Sequence, residues 1–166
     1  VAEKKSGSLV LAAMIFSVSM TFIDQTIVSI SIPEIQQHLG LSETGVQWIV
    51  SGYLLAMAAF FALGGKLADV LGRKTMLVIG ILIFTVCSAL CGATPESDIA
   101  ETWIIVFRLI QGAGAAIMFP AALAITIAAF PIEKRGRALA IFFGITGALT
   151  SVGPIAGGYL TEWTWR

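Results

Sequence analysis

Charge is what this sequence has least of. Asp, Glu, Lys and Arg make up 12% of its 166 residues, against 57% hydrophobic residues and a mean hydropathy of +0.92. A water-soluble domain carries about 25% charged residues. Too few are present to clothe an aqueous surface, so the class is membrane. Histidine occurs once, as His38 in a polar connection, where it is read as exposed. Cysteine occurs twice, and Cys87 and Cys91 stand four apart in one apolar run, hence on one helix face. A bridge inside a regular helix has poor geometry, and no metal-type cluster surrounds them. They are read as small packing residues, and no metal is expected. Also missing are an HExxH motif, a carboxylate cluster and a Ser/His/Asp set placeable at one depth, so neither an enzyme nor a cofactor is expected. The formal net charge is zero, and no nucleic-acid partner is expected.

Long apolar runs, by contrast, dominate. Spans of about 20 apolar residues mark membrane helices. Five are found, at about 9–32, 46–64, 75–94, 102–130 and 138–160, predicting an all-α membrane protein in contact with lipid. The first run is too long for the core of a signal peptide and lacks a small-x-small cleavage site, so it is read as a spanning helix.

The few charges are unevenly placed. Lys4 and Lys5 precede the first run, Lys66, Arg73 and Lys74 follow the second, and Lys134, Arg135 and Arg137 follow the fourth. The connections at 33–45 and 95–101 hold no Lys or Arg, only Glu34, Glu43, Glu96, Asp98 and Glu101. The positive-inside rule then puts the N-terminus in the cytoplasm and the closing TEWTWR outside.

Two charges lie within runs: Asp24 in the first and Arg108 in the fourth. Insertion scales charge about +2.5–3.5 kcal/mol for either at a helix centre, so neither is expected to face lipid. Counted from Pro33 and Thr102, both lie on the order of 10–13 Å below the outer surface. Opposite charges at matched depth could border one cavity or form an ion pair that only holds the bundle together. Both readings stand at this point.

Glycine and proline concentrate in the fifth run, GITGALTSVGPIAGGYL. Gly153 and Gly157 are spaced as a GxxxG face that lets helices approach closely, and Pro154 predicts a kink. Gly112 and Ala116 form a similar small-xxx-small pair in the fourth run.

These residues carry a pattern. GGKLADVLGRKTML resembles the signature between the second and third helices of the major facilitator superfamily, G-x-L-A-D-R-x-G-R-K-x-x-L. Gly65, Leu67, Ala68, Asp69, Gly72, Arg73, Lys74 and Leu77 match, while Val70 replaces the usual first arginine. Further stretches are similar to one branch, the fourteen-helix drug:proton antiporters. FIDQTIVSISIP resembles its first-helix motif through Asp24, Thr26 and Pro33. FRLIQGAGAA resembles its fourth-helix motif through Arg108, Gln111, Gly112 and Gly114. SVGPIAGG resembles its antiporter motif through Gly153, Pro154, Gly157 and Gly158, and WIVSGYLLA its second helix.

The resemblance implies a proton-coupled exporter of amphipathic, cationic small molecules in the plasma (cytoplasmic) membrane. It implies helices in inverted repeats of three, of which residues 1–166 would be an incomplete N-terminal transmembrane domain. The missing C-terminal transporter helices, protons and the exported molecule would be its partners. Asp24 would be the protonation or cation-sensing carboxylate and Arg108 the partner responding to its charge. Gly65, Asp69, Gly72, Arg73 and Lys74 would form a tight cytoplasmic turn that latches the inner side. Gly153 and Pro154 would shape the face toward the missing half. A symporter or uniporter of the same family is the first alternative, against which the Gly-Pro motif argues, and a truncated non-transporting membrane protein is the second.

Overall fold

The structure is a computed structural model that describes residues 2–161, with side chains over residues 7–159. The side chains of Lys4 and Lys5 and the closing EWTWR, Arg166 included, lie outside the described residues. Helices α1 (Ala2–Leu39), α2 (Glu43–Leu71), α3 (Arg73–Gly92), α4 (Ala100–Ala128), α5 (Ile132–Thr150) and α6 (Val152–Thr161) make up the fold. Five stretches are long and apolar enough to cross a membrane, the fifth being α5 and α6 together.

Three boundaries differ from the sequence reading. The first helix does not stop near residue 32 but runs through Pro33 to Leu39, because Ile35 and Leu39 still have an apolar seat against Ile49 and Ile104. It ends in a Schellman turn: Gly40 has φ +63°, and the Leu41 amide donates to the Gln36 carbonyl at 3.2 Å. The second helix continues past residue 64 to Leu71, so Gly65 and Asp69 lie in helix rather than in a turn. Only Gly72, at φ +98°, makes the reversal that a side chain would resist. The fifth span begins at Ile132 and breaks at Ser151, just ahead of Pro154, in line with the kink that the proline predicts.

Helix α4 is the centre, packed between α2 and α3, while α1 lies against α4, α5 and α6. Small residues set these distances. A Cβ on Gly64 would collide with the Ala116 carbonyl, one on Gly112 with the Tyr53 carbonyl, and one on Gly114 with Ile83. With no hydrophobic drive between helices inside lipid, such close approach is what holds a bundle together. One end is filled by Leu11, Met14, Val18, Met118 and Phe142, and the other by Leu41, Ile49 and Ile104. Cys87 is a buried free thiol and Cys91 a half-buried one, as packing residues would be. His38 is exposed and pairs with Glu34 at 3.4 Å.

Gly64→Val and Gly112→Val should each overpack the α2–α4 seam and destabilise the protein by about 1–3 kcal/mol. Gly147→Ala, at a position with open space around it, should be neutral or stabilising by up to about 1 kcal/mol. Apparent melting temperatures of the purified variants check both outcomes.

Candidate functional site

The site is built on α1 and α4, the two helices that carry a charge inside their spans. Arg108 and Gln111 lie three apart on α4 and therefore share one helix face. Both reach Asp24 on α1: Arg108 Nη1 donates to Asp24 Oδ2 at 2.5 Å, and Gln111 Nε2 donates to Asp24 Oδ1 at 2.9 Å. Arg108 also donates to the Gln111 Oε1 at 3.0 Å and to the Ile49 carbonyl of α2 at 3.3 Å. Its guanidinium carbon stands 4.5 Å from the centroid of the Tyr53 ring, a cation–π arrangement. Both carboxylate oxygens and several of the Arg108 donors are thus engaged, which is what a charge pair removed from water requires.

Burial is uneven across the pair. The Arg108 side chain is 2% exposed and that of Asp24 15%. The exposed remainder of Asp24 opens on a cavity of about 200 Å3, lined also by Ile27, Ser31, Cys91, Ile104 and Arg108. The ion pair thus forms part of the wall of a cavity. The space is smaller than the roughly 300–1,000 Å3 of a drug-sized pocket.

Sequence reasoning gave no role to Tyr53 or Gln25. The Tyr53 hydroxyl and the Gln25 amide nitrogen are both buried without a hydrogen-bond partner of good geometry among the described residues. Their signal was available as polar groups inside apolar runs, one of them adjacent to Asp24. Glu101 was also passed over. It accepts from the Ser42 amide at 2.8 Å and the Ser42 hydroxyl at 3.1 Å, while Ser42 Oγ caps α2 through the Gly45 amide at 2.9 Å. This ties the starts of α2 and α4 together, with Gly45 leaving room for the carboxylate.

The remaining candidates fall into two groups away from the pair. Arg73 Nη2 reaches Asp69 Oδ1 at 3.3 Å and Nη1 the Ala124 carbonyl of α4 at 3.4 Å. The opening of α3 is thereby fastened to the last turns of α2 and α4. Gly65 has only Pro120 beside it, and Lys74 is exposed. In the fifth span, Gly153 and Gly157 lie against α1, a close approach of the kind their GxxxG spacing allows, so Gly153 is turned to α1 and not to the face it was expected to shape with Pro154. Gly153 meets Thr26 and the Ile23 carbonyl, and Gly157 meets Ile27 and Ile30. The reason is that α1 needs a smooth partner on the side opposite α4. Gly158 has open space around it.

The two ion pairs should differ sharply in energy. Arg108→Ala leaves the Asp24 carboxylate with Gln111 alone and should cost on the order of 3 kcal/mol. Asp24→Asn should cost less, because Arg108 keeps Ile49, Gln111 and Tyr53 as partners. Asp69 and Arg73 form an exposed pair one helical turn apart, so Asp69→Asn should cost under about 1 kcal/mol. Thermal unfolding of the three variants tests this order.

Residues 14–166 match the family profile described as Major Facilitator Superfamily. The tetracenomycin C resistance and export protein of Streptomyces glaucescens is 41% identical over 152 residues, covering 92% of this chain and 28% of that protein. The puromycin resistance protein of Streptomyces alboniger is 38% identical over 161 residues, covering 95% and 30%. Multidrug resistance protein 3 of Bacillus subtilis (strain 168) is 34% identical over 169 residues, covering 99% and 32%. The chain spans about a quarter to a third of the length of the curated relatives it matches. With five membrane-spanning stretches and these relatives, the chain belongs to the major facilitator superfamily, a family of multi-pass membrane transporters rather than enzymes.

Proposed function

We propose that these residues are the incomplete N-terminal transmembrane domain of a proton-coupled exporter of amphipathic, cationic small molecules, of the fourteen-helix antiporter branch. The observation that carries this reading is the Asp24–Arg108–Gln111 cluster, a charged group on the wall of an otherwise largely apolar cavity. A proton and a cationic substrate both compete with Arg108 for one carboxylate. When Asp24 takes a proton, it loses the charge that holds Arg108 and gives up the charge-assisted hydrogen bonds. When substrate brings its own positive charge, the proton leaves. Exchange of the one for the other is antiport.

The local cavity is too small for a drug-sized molecule. Substrate would therefore bind where this face of α1 and α4 meets helices contributed by the rest of the transporter. The names of the relatives, which speak of resistance to tetracenomycin C, puromycin and multiple drugs, support export as the direction. The basic connections support a cytoplasmic N-terminus in a bacterial cytoplasmic membrane. On the inner side, the Asp69–Arg73 contact and the Gly72 turn would act as a latch that opens and closes with the transport cycle.

The test is pH-gradient-driven efflux of ethidium and of a neutral dye from proteoliposomes holding the complete transporter. Asp24→Asn should accumulate as a folded protein that melts above Arg108→Ala, yet transport neither dye above the level of empty liposomes, since asparagine cannot release a proton. Asp24→Glu should keep partial activity with a shifted pH dependence. Normal coupling for both dyes in a stable Asp24→Asn protein would contradict the assignment.

A further inference from the structure

The fifth span breaks where one backbone carbonyl loses its helical donor. Pro154 has no N–H, so the Thr150 carbonyl, four residues earlier, receives no α-helical hydrogen bond from it. Helix α5 ends at that residue and α6 begins at Val152. The Thr26 hydroxyl of α1 stands 3.4 Å from the Thr150 oxygen, and also 2.9 Å from the Ile23 and 3.1 Å from the Phe22 carbonyl of its own helix. A hydroxyl has a single proton. Thr26 can therefore keep it within α1 or lend it to the break in the neighbouring span.

Gly153 makes this approach possible. A Cβ there would fall on the Thr26 hydroxyl and come within 3.1 Å of the Ile23 carbonyl. The other proline inside a membrane helix with a close neighbour, Pro120, has a different arrangement. Its freed Ala116 carbonyl faces Gly64, which offers no hydroxyl. The hydroxyl at the fifth-span break is thus particular to that break. Thr26 also follows Asp24 by two residues, so at 3.6 residues per turn the two point to roughly opposite sides of α1. One side carries the carboxylate to α4, and the other carries the hydroxyl to α5 and α6.

We propose that Thr26 is a positioning residue for transport. Seated on Gly153, its hydroxyl ties the break in the fifth span to α1, so that α1, α5 and α6 move as one body when Asp24 changes charge. As the proton of Thr26 passes between the Ile23 and Thr150 carbonyls, the break can bend without leaving the Thr150 oxygen bare in an apolar setting. The proposal rests on Asp24 being the coupling carboxylate, but its test does not.

The experiment measures ethidium counterflow in proteoliposomes of the complete transporter, which needs alternating access and no pH gradient. Melting temperatures are recorded alongside. Thr26→Val keeps the shape and removes the hydroxyl. It should lower kcat about ten-fold or more with KM within about two-fold and melting unchanged. Thr26→Ser should restore kcat to within about three-fold. Gly153→Ala should slow counterflow as well, and the Thr26→Val/Gly153→Ala pair should be no slower than the worse single variant, because both act on one contact. Wild-type kcat in Thr26→Val, a Thr26→Ser protein as slow as Thr26→Val, or losses that merely follow the melting temperature would each overturn the proposal. If Thr26→Val fails to accumulate, Thr26→Ser and Gly153→Ala decide it by the same criteria. Normal coupled efflux in Asp24→Asn would remove the role of Asp24 while leaving the counterflow result to judge Thr26.

Discussion

A carboxylate and a guanidinium held against each other inside an apolar bundle constrain almost everything around them. Each alone would cost several kcal/mol to bury, and their attraction offsets that only with good geometry and every remaining donor or acceptor engaged. Here Gln111 takes the second carboxylate oxygen, Ile49 accepts from the guanidinium Nε, and the Tyr53 ring lies beneath the guanidinium. For those partners to converge, α2 must approach α4 closely, which Gly64 and Gly112 allow. The small residues of α2 and α4 and the polar cluster are therefore one design. The pair holds the helices together, and the glycines bring its partners within reach.

On the proposed reading, proline and glycine on the other side of α1 serve motion in the same bundle. A continuous fifth helix would be a rigid rod against α1. The break at Ser151 gives it a joint, and the flat faces of Gly153 and Gly157 keep that joint in contact with α1. Helix α1 thus stands between the Asp24–Arg108 ion pair and the broken fifth span, the two features that the proposed coupling joins. Alternating access needs such a link between a local chemical event and a rigid-body movement.

Much of this was legible in the sequence. Apolar length alone revealed five spans, and the cost of burying charge singled out Asp24 and Arg108 and matched their depths. Where the reading went wrong, local signals were overridden by tertiary ones. Pro33 reads as a stop, yet Ile35 and Leu39 find an apolar seat that extends α1. Gly65 reads as a turn former beside a charged stretch, but it lies within α2, and in this stretch Gly72 alone turns the chain. Tyr53 and Gln25 carry no role in the sequence reading, and Thr26 only a motif match, because their surroundings depend on which residue from a distant helix faces them. No spacing along the chain encodes that.

The central claim is that substrate and proton compete for Asp24. It is tested most directly by adding a saturating lipophilic cation such as ethidium to the detergent-solubilised complete transporter in weakly buffered solution, and following pH with an indicator. The account predicts a stoichiometric release of protons on dye binding to the wild type, and from Asp24→Asn weaker dye binding with no proton release even when the dye is raised to saturation. Equal proton release from wild type and Asp24→Asn would contradict it.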